Sequence, residues 1–337
     1  MKKYIFLLAI TIVAILTSCT NDDITISKII TVKVDPSHVI TPFPEEWPGE
    51  LESFDTSFKL RVRLLIYDKD GLLAYSDSTF LENYKKEMSI SQPLPLGTYT
   101  VIATTDIVKI SGSTISAEYW NLYEKDNINN ASIKYTDDYS ALGKYRILGV
   151  TSQKVEITGD SQSLTLYPTP AGALIRTYYF NVVGYTNVSY FALWTNRGCS
   201  MMTFDSNGTP KMIPENNNNE YDFLCSAVDA KKASGNELYS WHFIFPVDNI
   251  SFQFTWYNLA GDAWLMGDPI SVSSIKAGEE YLLAVNCLTD ETAWGKFESS
   301  STRAFQAQEK PINIIAGMKK SGTSLKQSRK LIDLIRK

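Results

Sequence analysis

The residue with the most definite chemistry in this sequence is Cys19, because its thiol directly follows a stretch built like an export signal. Two lysines, a predominantly apolar run over residues 4–16 and two small residues come before it. This order of charged, apolar and small residues is typical of a secretory signal peptide. The apolar run is shorter than the roughly 20 residues that a membrane-spanning helix needs. We therefore predict that residues 1–18 are removed during export.

The stretch Leu16-Thr17-Ser18-Cys19 resembles the lipobox of bacterial lipoproteins, in which the cysteine is lipidated and becomes the first residue of the mature chain. Such a cysteine carries a diacylglyceryl group and usually a third acyl chain. One acyl chain holds a protein only marginally on a membrane, whereas two or more anchor it stably. The alternative is an ordinary signal peptide that is cut before a cysteine by chance, and the small residues before Cys19 argue against it.

Two acidic residues, Asp22 and Asp23, stand close to the predicted lipid. An acidic pair at this place resembles the export tag of surface lipoproteins in the Bacteroidota, and the alternative is a solvated acidic linker. We expect the body of the protein to be attached to the outer membrane through the lipid on Cys19 and to face the outside of the cell.

The remaining cysteines are Cys199, Cys225 and Cys287. Three is an odd number, so at most one internal disulfide can form. A Cys199–Cys225 bridge is one option in an oxidising compartment, although spacing alone does not show that two cysteines are close. Cys287 lies in an apolar run and is predicted to be a small buried hydrophobic residue.

Catalytic patterns are absent from the sequence. The only histidines are His38 and His242, and their spacing fits neither a zinc site nor a metalloprotease helix. No phosphate-binding loop, nucleophile elbow or dinucleotide fingerprint is present. We therefore expect no enzyme activity, no metal and no cofactor. One modification candidate remains at Asp77-Ser78-Thr79, which resembles the O-glycosylation sequon of the same phylum; the alternative is a plain polar hairpin segment.

Alternating hydrophobicity is the main pattern of the chain. In residues 58–68 every second residue is apolar, from Phe58 to Ile66, whereas Lys59, Arg61 and Arg63 fall between them. A period of two predicts a strand with the first set in a core and the second set in water. The turn residues 68–71 and a second apolar stretch then predict a hairpin. Similar stretches recur up to residue 290, so the fold class is predicted to be all-β, with sandwich domains.

Length and composition predict the domain organisation. The chain is long enough for two domains of ordinary size, which we place at residues 19–160 and 161–290. Residues 291–337 form a basic tail: from residue 296 onward it carries ten basic and three acidic side chains. The tail is partly helical by pattern, with Ser328, Leu331, Ile332 and Ile335 on one face. The rest of the mature chain is acidic, which disfavours nucleic acid as a partner.

Several stretches resemble the fimbrillin-type surface proteins of Bacteroidota pili, and among them the lipoprotein anchor subunits. They are the lipobox, residues 60–70 (LRVRLLIYDKD), residues 94–106 (LPLGTYTVIATTD) and residues 164–182 (LTLYPTPAGALIRTYYFNV). The resemblance implies two transthyretin-like sandwich domains in tandem, partners that are pilin subunits joined by strand addition, and a role in pilus anchoring or assembly. No catalytic residues come with it.

The resemblance also separates anchor from shaft subunits. In the related shaft pilins, cleavage at an arginine removes the lipidated N-terminus and opens a groove for a neighbour's strand. This chain has no arginine between Cys19 and Lys59. The first arginines, Arg61 and Arg63, lie inside the strongest predicted strand, where a protease would have to unfold the sheet. An anchor role is therefore favoured over a shaft role.

A glycan-binding surface lipoprotein is the alternative function, because Trp and Tyr rings can stack on sugars. Trp241 and Trp256 lie on apolar strand faces, which predicts core packing for them. Trp120, Trp194, Trp264 and Trp294 are not placed by any pattern. Glycan binding predicts an exposed, coplanar cluster of Trp and Tyr, whereas pilus assembly predicts an open groove or a free strand edge.

Overall fold

The computed structural model describes residues 26–40, 57–136, 146–180, 188–214, 223–229, 237–258, 263–266, 270–286 and 297–301. These residues are almost entirely β, and the one helical element among them is a short 3-10 helix over Pro36–Val39. The all-β fold class predicted from the alternating pattern is thus confirmed. The signal peptide, Cys19, Asp22 and Asp23 lie outside the described residues, as does the chain beyond residue 301.

The first half of the chain supplies eleven of the described strands. They are β1 (Ser27–Val34), β2 (Phe58–Tyr67), β3 (Leu73–Leu81), β4 (Met88–Pro95), β5 (Gly97–Ser111), β6 (Thr114–Glu118), β7 (Trp120–Tyr123), β8 (Ser132–Tyr135), β9 (Leu148–Ile157), β10 (Gln162–Leu166) and β11 (Thr169–Pro170).

The second half supplies the other eleven. They are β12 (Ala173–Phe180), β13 (Val188–Thr195), β14 (Met201–Phe204), β15 (Pro210–Ile213), β16 (Phe223–Asp229), β17 (Glu237–Ile244), β18 (Val247–Asn258), β19 (Ala263–Met266), β20 (Ile270–Ile275), β21 (Glu280–Asn286) and β22 (Phe297–Ser301).

Two sheets of the first half form a sandwich. Sheet 1 has the order β10-β1-β4, and sheet 2 has the order β11-β9-β5-β2-β3, with β6 paired to β5. Alternate residues of both sheets meet in one core: Val62, Leu64 and Ile66 of β2 share it with Ile30, Val32 and Val34 of β1. These three residues of β2 lie on the face that the sequence pattern predicts to be buried, whereas Leu60 of the same predicted set belongs to a different buried cluster. The predicted hairpin is also confirmed, because β2 and β3 pair antiparallel.

A third layer covers the other face of sheet 2. Sheet 3 has the order β15-β14-β8-β7, so two of its strands come from the first half and two from the second. Leu65 and Tyr67 of β2 belong to the same buried cluster as Trp120 of β7 and Met202 of β14. Strand β2 is therefore buried on both faces, and almost its whole length is inaccessible to solvent.

The second half contains two further sheets. Sheet 4 has the order β17-β12-β21-β22, and sheet 5 has the order β16-β13-β18-β19, with β20 paired to β18. The boundary that we predict at residue 160 precedes β10 and β11, yet β10 pairs with β1 and β11 with β9. Strands up to Pro170 thus belong to the sheets of the first half. The tandem arrangement of two domains itself stays a prediction.

Candidate functional site

The strand nearest to the predicted lipid, β1, lies in the middle of sheet 1. Its residues Ile30–Val34 run parallel to β10, and its whole length pairs antiparallel with β4. Ile30, Val32 and Val34 are fully buried. Burial of an aliphatic side chain of this size stabilises the folded state by roughly 1.5–3 kcal/mol. Loss of β1 would therefore break two ladders and expose the core between sheets 1 and 2.

Arg61 and Arg63, which the pattern predicts to face water, are buried, with only 5% and 6% of their surface exposed. The prediction is wrong for a physical reason: alternation shows that a strand has two faces, but not that a second layer covers the polar one. Sheet 3 and residues 118–120 lie over this face. A buried charge must be paired, and both guanidinium groups point to the carboxylate of Asp106 on β5.

The buried charges form one network. Arg61 binds Asp106 in a bidentate way, with Nε donating to Oδ1 at 2.9 Å and Nη2 donating to Oδ2 at 2.6 Å. Its Nη1 donates to Glu118 at 2.5 Å. The Nη2 of Arg63 donates to the carbonyl oxygen of Trp120 at 2.6 Å and lies 3.3 Å from Asp106. The network joins β2 and β5 to the segment 118–120.

The protonation of this network follows from its burial. Burial raises the pKa of Asp106 to about 6, while the charge and the hydrogen bonds of Arg61 act against that rise. For Arg61, burial acts to lower the pKa, but the charge and hydrogen bonds of Asp106 outweigh it, so the pKa is raised. Arg61 is therefore always charged. All these groups bind one another, so the network acts as a structural clamp.

A small cavity lies between the two halves of the chain. This cavity of about 20 Å³, enough for one water molecule, is lined by Trp120, Tyr135 and Arg146 from the first half and by Cys199 and residues 243–245 from the second. The indole Nε1 of Trp120 donates to the carbonyl oxygen of Arg146 at 2.7 Å. The guanidinium of Arg146 lies 4.8 Å from the ring centroid of Tyr135.

His242 on β17 is fully buried, with its Nε2 3.1 Å from the hydroxyl of Thr177. Burial, and then the charge of Arg146, lower the pKa of His242 to about 3. The imidazole is therefore neutral at physiological pH. It is a core residue, and the sequence pattern, which places His242 opposite the apolar face of its strand, gives no sign of that burial.

The structure places the other predicted site residues as follows. Ser78 is exposed on β3, so its hydroxyl is accessible to a glycosyltransferase, and O-glycosylation there stays a prediction. Cys199 is a buried thiol whose Sγ lies 3.9 Å from the carbonyl oxygen of Pro246. The side chain of Cys225 lies outside the described residues, so the Cys199–Cys225 disulfide stays a prediction.

Two of the tryptophans that could line a sugar platform, Trp120 and Trp194, have described side chains. Trp120 is buried and packs against Tyr135 and Phe245, with ring centroids 5.2 and 4.9 Å apart. Trp194 is half-buried. The side chains of Trp241, Trp256 and Trp264, and all of Trp294, lie outside the described residues. Trp120 is therefore a core residue.

No group of three or more His, Cys, Asp or Glu side chains in the described part of the chain is arranged to hold a metal ion. Within the same ranges, no helix has the length and apolar character to cross a membrane.

Sequence reasoning misses Asp106, Glu118 and Trp120 as partners of the two arginines. Asp106 ends the matched stretch 94–106, but nothing local shows that it faces Arg61 across the sheet. The signal that could have found it is the arginine pair itself, since two arginines on a strand with no acidic neighbour in sequence need a carboxylate elsewhere if they are buried.

The fold defines an all-β, sandwich-type protein whose N-terminal strand β1 is built into its core. No family model and no curated protein matches the chain. Solved structures that are similar to this chain include the fimbrial anchor protein Mfa2 from Porphyromonas gingivalis. The two chains are 11% identical and superpose with a TM-score of 0.45, and the match covers 86% of this chain and 100% of Mfa2. The tip fimbrial protein Mfa3 from the same organism has 9% identity and TM-score 0.43, covering 82% and 99%.

A third similar structure is a candidate adhesin from Bacteroides thetaiotaomicron, with 9% identity and TM-score 0.48, covering 87% of this chain and 100% of that one.

Proposed function

We propose that this protein is an outer-membrane surface lipoprotein that acts as the anchor or an assembly subunit of a pilus. The lipid on Cys19 holds it in the membrane, and Asp22 and Asp23 form the signal that directs it to the outside. Its partners are pilin subunits, and the protein itself has no enzyme activity.

The observation that carries this proposal is the position of β1. It begins at Ser27, eight residues after Cys19, and is hydrogen-bonded on both sides in sheet 1. A lipid attached just before a central strand is mechanically connected to the core of the protein. An anchor needs this connection, because force on the pilus must reach the membrane without unravelling the first strand.

The burial of the first two arginines supports the same proposal. A protease that cuts after arginine would have to reach Arg61 or Arg63, which lie within β2 and bind Asp106. Cleavage requires local unfolding of the substrate chain. The peptide bonds after Arg61 and Arg63 are therefore inaccessible to a protease in the folded protein, so the lipid and the body stay joined.

A pilin subunit could bind by main-chain hydrogen bonds at a sheet edge. Strand β3 lies at one edge of sheet 2, and its nine residues contain neither proline nor lysine, the residues that commonly protect an edge. We infer that β3 is the edge offered to a partner. A glycan on Ser78 would oppose such pairing, so glycopeptide mass spectrometry of residues 73–81 distinguishes the two uses of this strand.

The test of the anchor role is N-terminal analysis of the protein taken from intact cells and from sheared pili. An anchor begins at lipidated Cys19 and stays with the cells after shearing. A mature form that begins anywhere between residues 36 and 64, recovered with the sheared pili, would contradict the proposal.

A further inference from the structure

An exposed apolar patch surrounds the start of β1. Ile26, Ile29 and Leu96 expose 55%, 49% and 45% of their surface. The exposed prolines of β4, Pro93 and Pro95, lie between them, because Ile29 pairs with Pro93 and Ser27 with Pro95. The amide of Leu96 donates to the carbonyl oxygen of Ile26 at 3.2 Å. We name these five residues the N-terminal patch.

Ile29, Pro93 and Pro95 lie on the outer face of sheet 1, whereas Ile26 and Leu96 lie just beyond the ends of β1 and β4. The rest of this outer face is polar. Further along β1, the hydroxyl groups of Thr31 and Ser91 are 2.9 Å apart, and Lys33 lies opposite Ser89. On β10, the exposed Ser163 and Thr165 occupy the same face. The apolar surface is therefore confined to the end of the sheet at which the chain enters from Cys19. Contiguous exposed apolar surface commonly marks a site of contact with a protein or a membrane.

The short segment between Cys19 and Ile26 indicates what covers the N-terminal patch. Ile26 is seven residues after Cys19, and seven extended residues reach about 25 Å at most. We propose that the N-terminal patch rests in the interfacial region of the membrane to which the lipid is attached. This proposal depends on the lipidation of Cys19 in the proposed function. The tether raises the effective concentration of lipid around the patch, so a small apolar area is sufficient for docking.

The chemistry of the patch fits a lipid surface better than a partner strand. Strand addition needs backbone N–H groups along an edge, and β4, the edge of sheet 1 beside the patch, contains Pro93 and Pro95, which have none. A lipid interface makes no such demand. Lys28, half-buried on β1 between the exposed isoleucines, can extend its ammonium group towards lipid phosphates.

The experiment uses the full-length lipoprotein with a specific protease site inserted between Asp23 and Ile24, bound to vesicles of phosphatidylethanolamine and phosphatidylglycerol. Hydrogen–deuterium exchange is measured before and after proteolytic release of the body from the vesicles. We expect the amides of residues 26–30 and of Leu94, Leu96 and Gly97 to exchange several-fold faster after release, while those of 73–81 on β3 do not change. The variant Ile26→Ser/Ile29→Ser/Leu96→Ser should bind vesicles equally well and show no difference on release. Its control, Thr31→Ala/Ser91→Ala on the polar part of the same face, should behave like the parent.

The outcomes separate the two proposals. Failure of the protein to float with the vesicles contradicts lipidation at Cys19. Vesicle binding with the same exchange before and after release contradicts docking of the patch but leaves the lipid anchor intact. If the amides of the patch are strongly protected from exchange both before and after release, another protein segment covers the patch. This result also overturns the proposal.

Discussion

Asp106 is the residue that neutralises the buried charges in the interior of the first half. It is fully buried and accepts hydrogen bonds from two arginines on the neighbouring strand. Replacing a buried ion pair by apolar residues is often neutral, whereas removing one partner leaves an uncompensated charge. Here the two arginines differ from any apolar substitute because they also bind Glu118 and the carbonyl oxygen of Trp120. The network thereby fixes where segment 118–120 crosses sheet 2.

We expect Asp106→Ala to lower the free energy of unfolding by about 3–5 kcal/mol, because it leaves two guanidinium groups buried with too few partners. Urea unfolding followed by circular dichroism measures this loss. Asp77→Ala, at an exposed position on β3, is the control and should change stability by no more than about 0.5 kcal/mol. Similar stabilities of the two variants would show that Asp106 does not hold the arginines.

His242 predicts how stability depends on pH. Its pKa in the folded protein is about 3, below the ordinary value of 6.5, because burial disfavours the charged ring. Between these two values the unfolded chain binds a proton that the folded chain does not. Burial of the neutral His242 ring therefore costs no proton above pH 6.5. As the pH decreases from 6.5 towards 3, the free energy of unfolding falls by about 1.4 kcal/mol per pH unit because of this residue.

His242→Gln should remove this dependence, so the slope of the unfolding free energy against pH between 6 and 4 becomes shallower than in the wild type by about 1.4 kcal/mol per unit. Ser78→Ala, at an exposed position without a titrating group, is the control and should keep the wild-type slope. A slope unchanged by His242→Gln would contradict the buried neutral state of this ring.

At the scale of elements, the local sequence pattern predicts where strands lie, but it does not predict which strands pair with one another. The strands β2, β3, β5, β9 and β10 are all recognisable from alternation and turn residues. The pairing of β1 with β10 is not, because more than 120 residues separate them and the alternation in β1 is weak. The burial of Arg61 is also hidden, because it depends on a layer that later strands complete. Sequence thus gives the elements of the candidate site, β1 and β2, but not the central place of β1 in its sheet.

The hairpin of β14 and β15 is the element that connects the halves. Its strand β14 pairs with β8, and a Cβ added to Gly208 in its turn would lie 2.7 Å from the methyl group of Thr100 and 3.1 Å from the Cβ of Ser152. The turn of the hairpin therefore packs directly on sheet 2. The side chain of Lys154 on β9 donates to Asn207 in the same turn at 2.6 Å.

Gly208→Ala compared with Gly112→Ala measures this contact. Both glycines have positive φ, +79° and +64°, so both alanines are strained by roughly 1–2 kcal/mol. A Cβ at Gly112 meets nothing within 4 Å. We expect Gly208→Ala to cost about 1–3 kcal/mol more in thermal or urea unfolding, because the added methyl group overpacks the contact. Equal losses in the two variants would mean that the hairpin does not pack tightly on sheet 2.

At the scale of the whole molecule, contacts lead without interruption from the N-terminal strand to the second half. Sheet 1 shares its core with sheet 2, sheet 2 shares another with sheet 3, and sheet 3 contains strands from both halves. Trp120 contacts Phe243 and Phe245 at the cavity between the halves. A load applied to the second half is therefore transmitted through packed layers to β1, and from there to the short connection that ends at Cys19.

The thiol of Cys19 is the predicted point of attachment to the membrane. Cys19→Ala removes the thiol that would carry the lipid, so the variant should lose incorporation of radioactive fatty acid and should either keep its signal peptide or be released from the membrane. The double variant Asp22→Asn/Asp23→Asn keeps the thiol and is the matched control. It should incorporate fatty acid at the wild-type level but become inaccessible to a protease added to intact cells, because only its export signal is changed. Fatty acid retained by Cys19→Ala would refute the lipid anchor, and unchanged surface accessibility of the double variant would show that the acidic pair is only a linker.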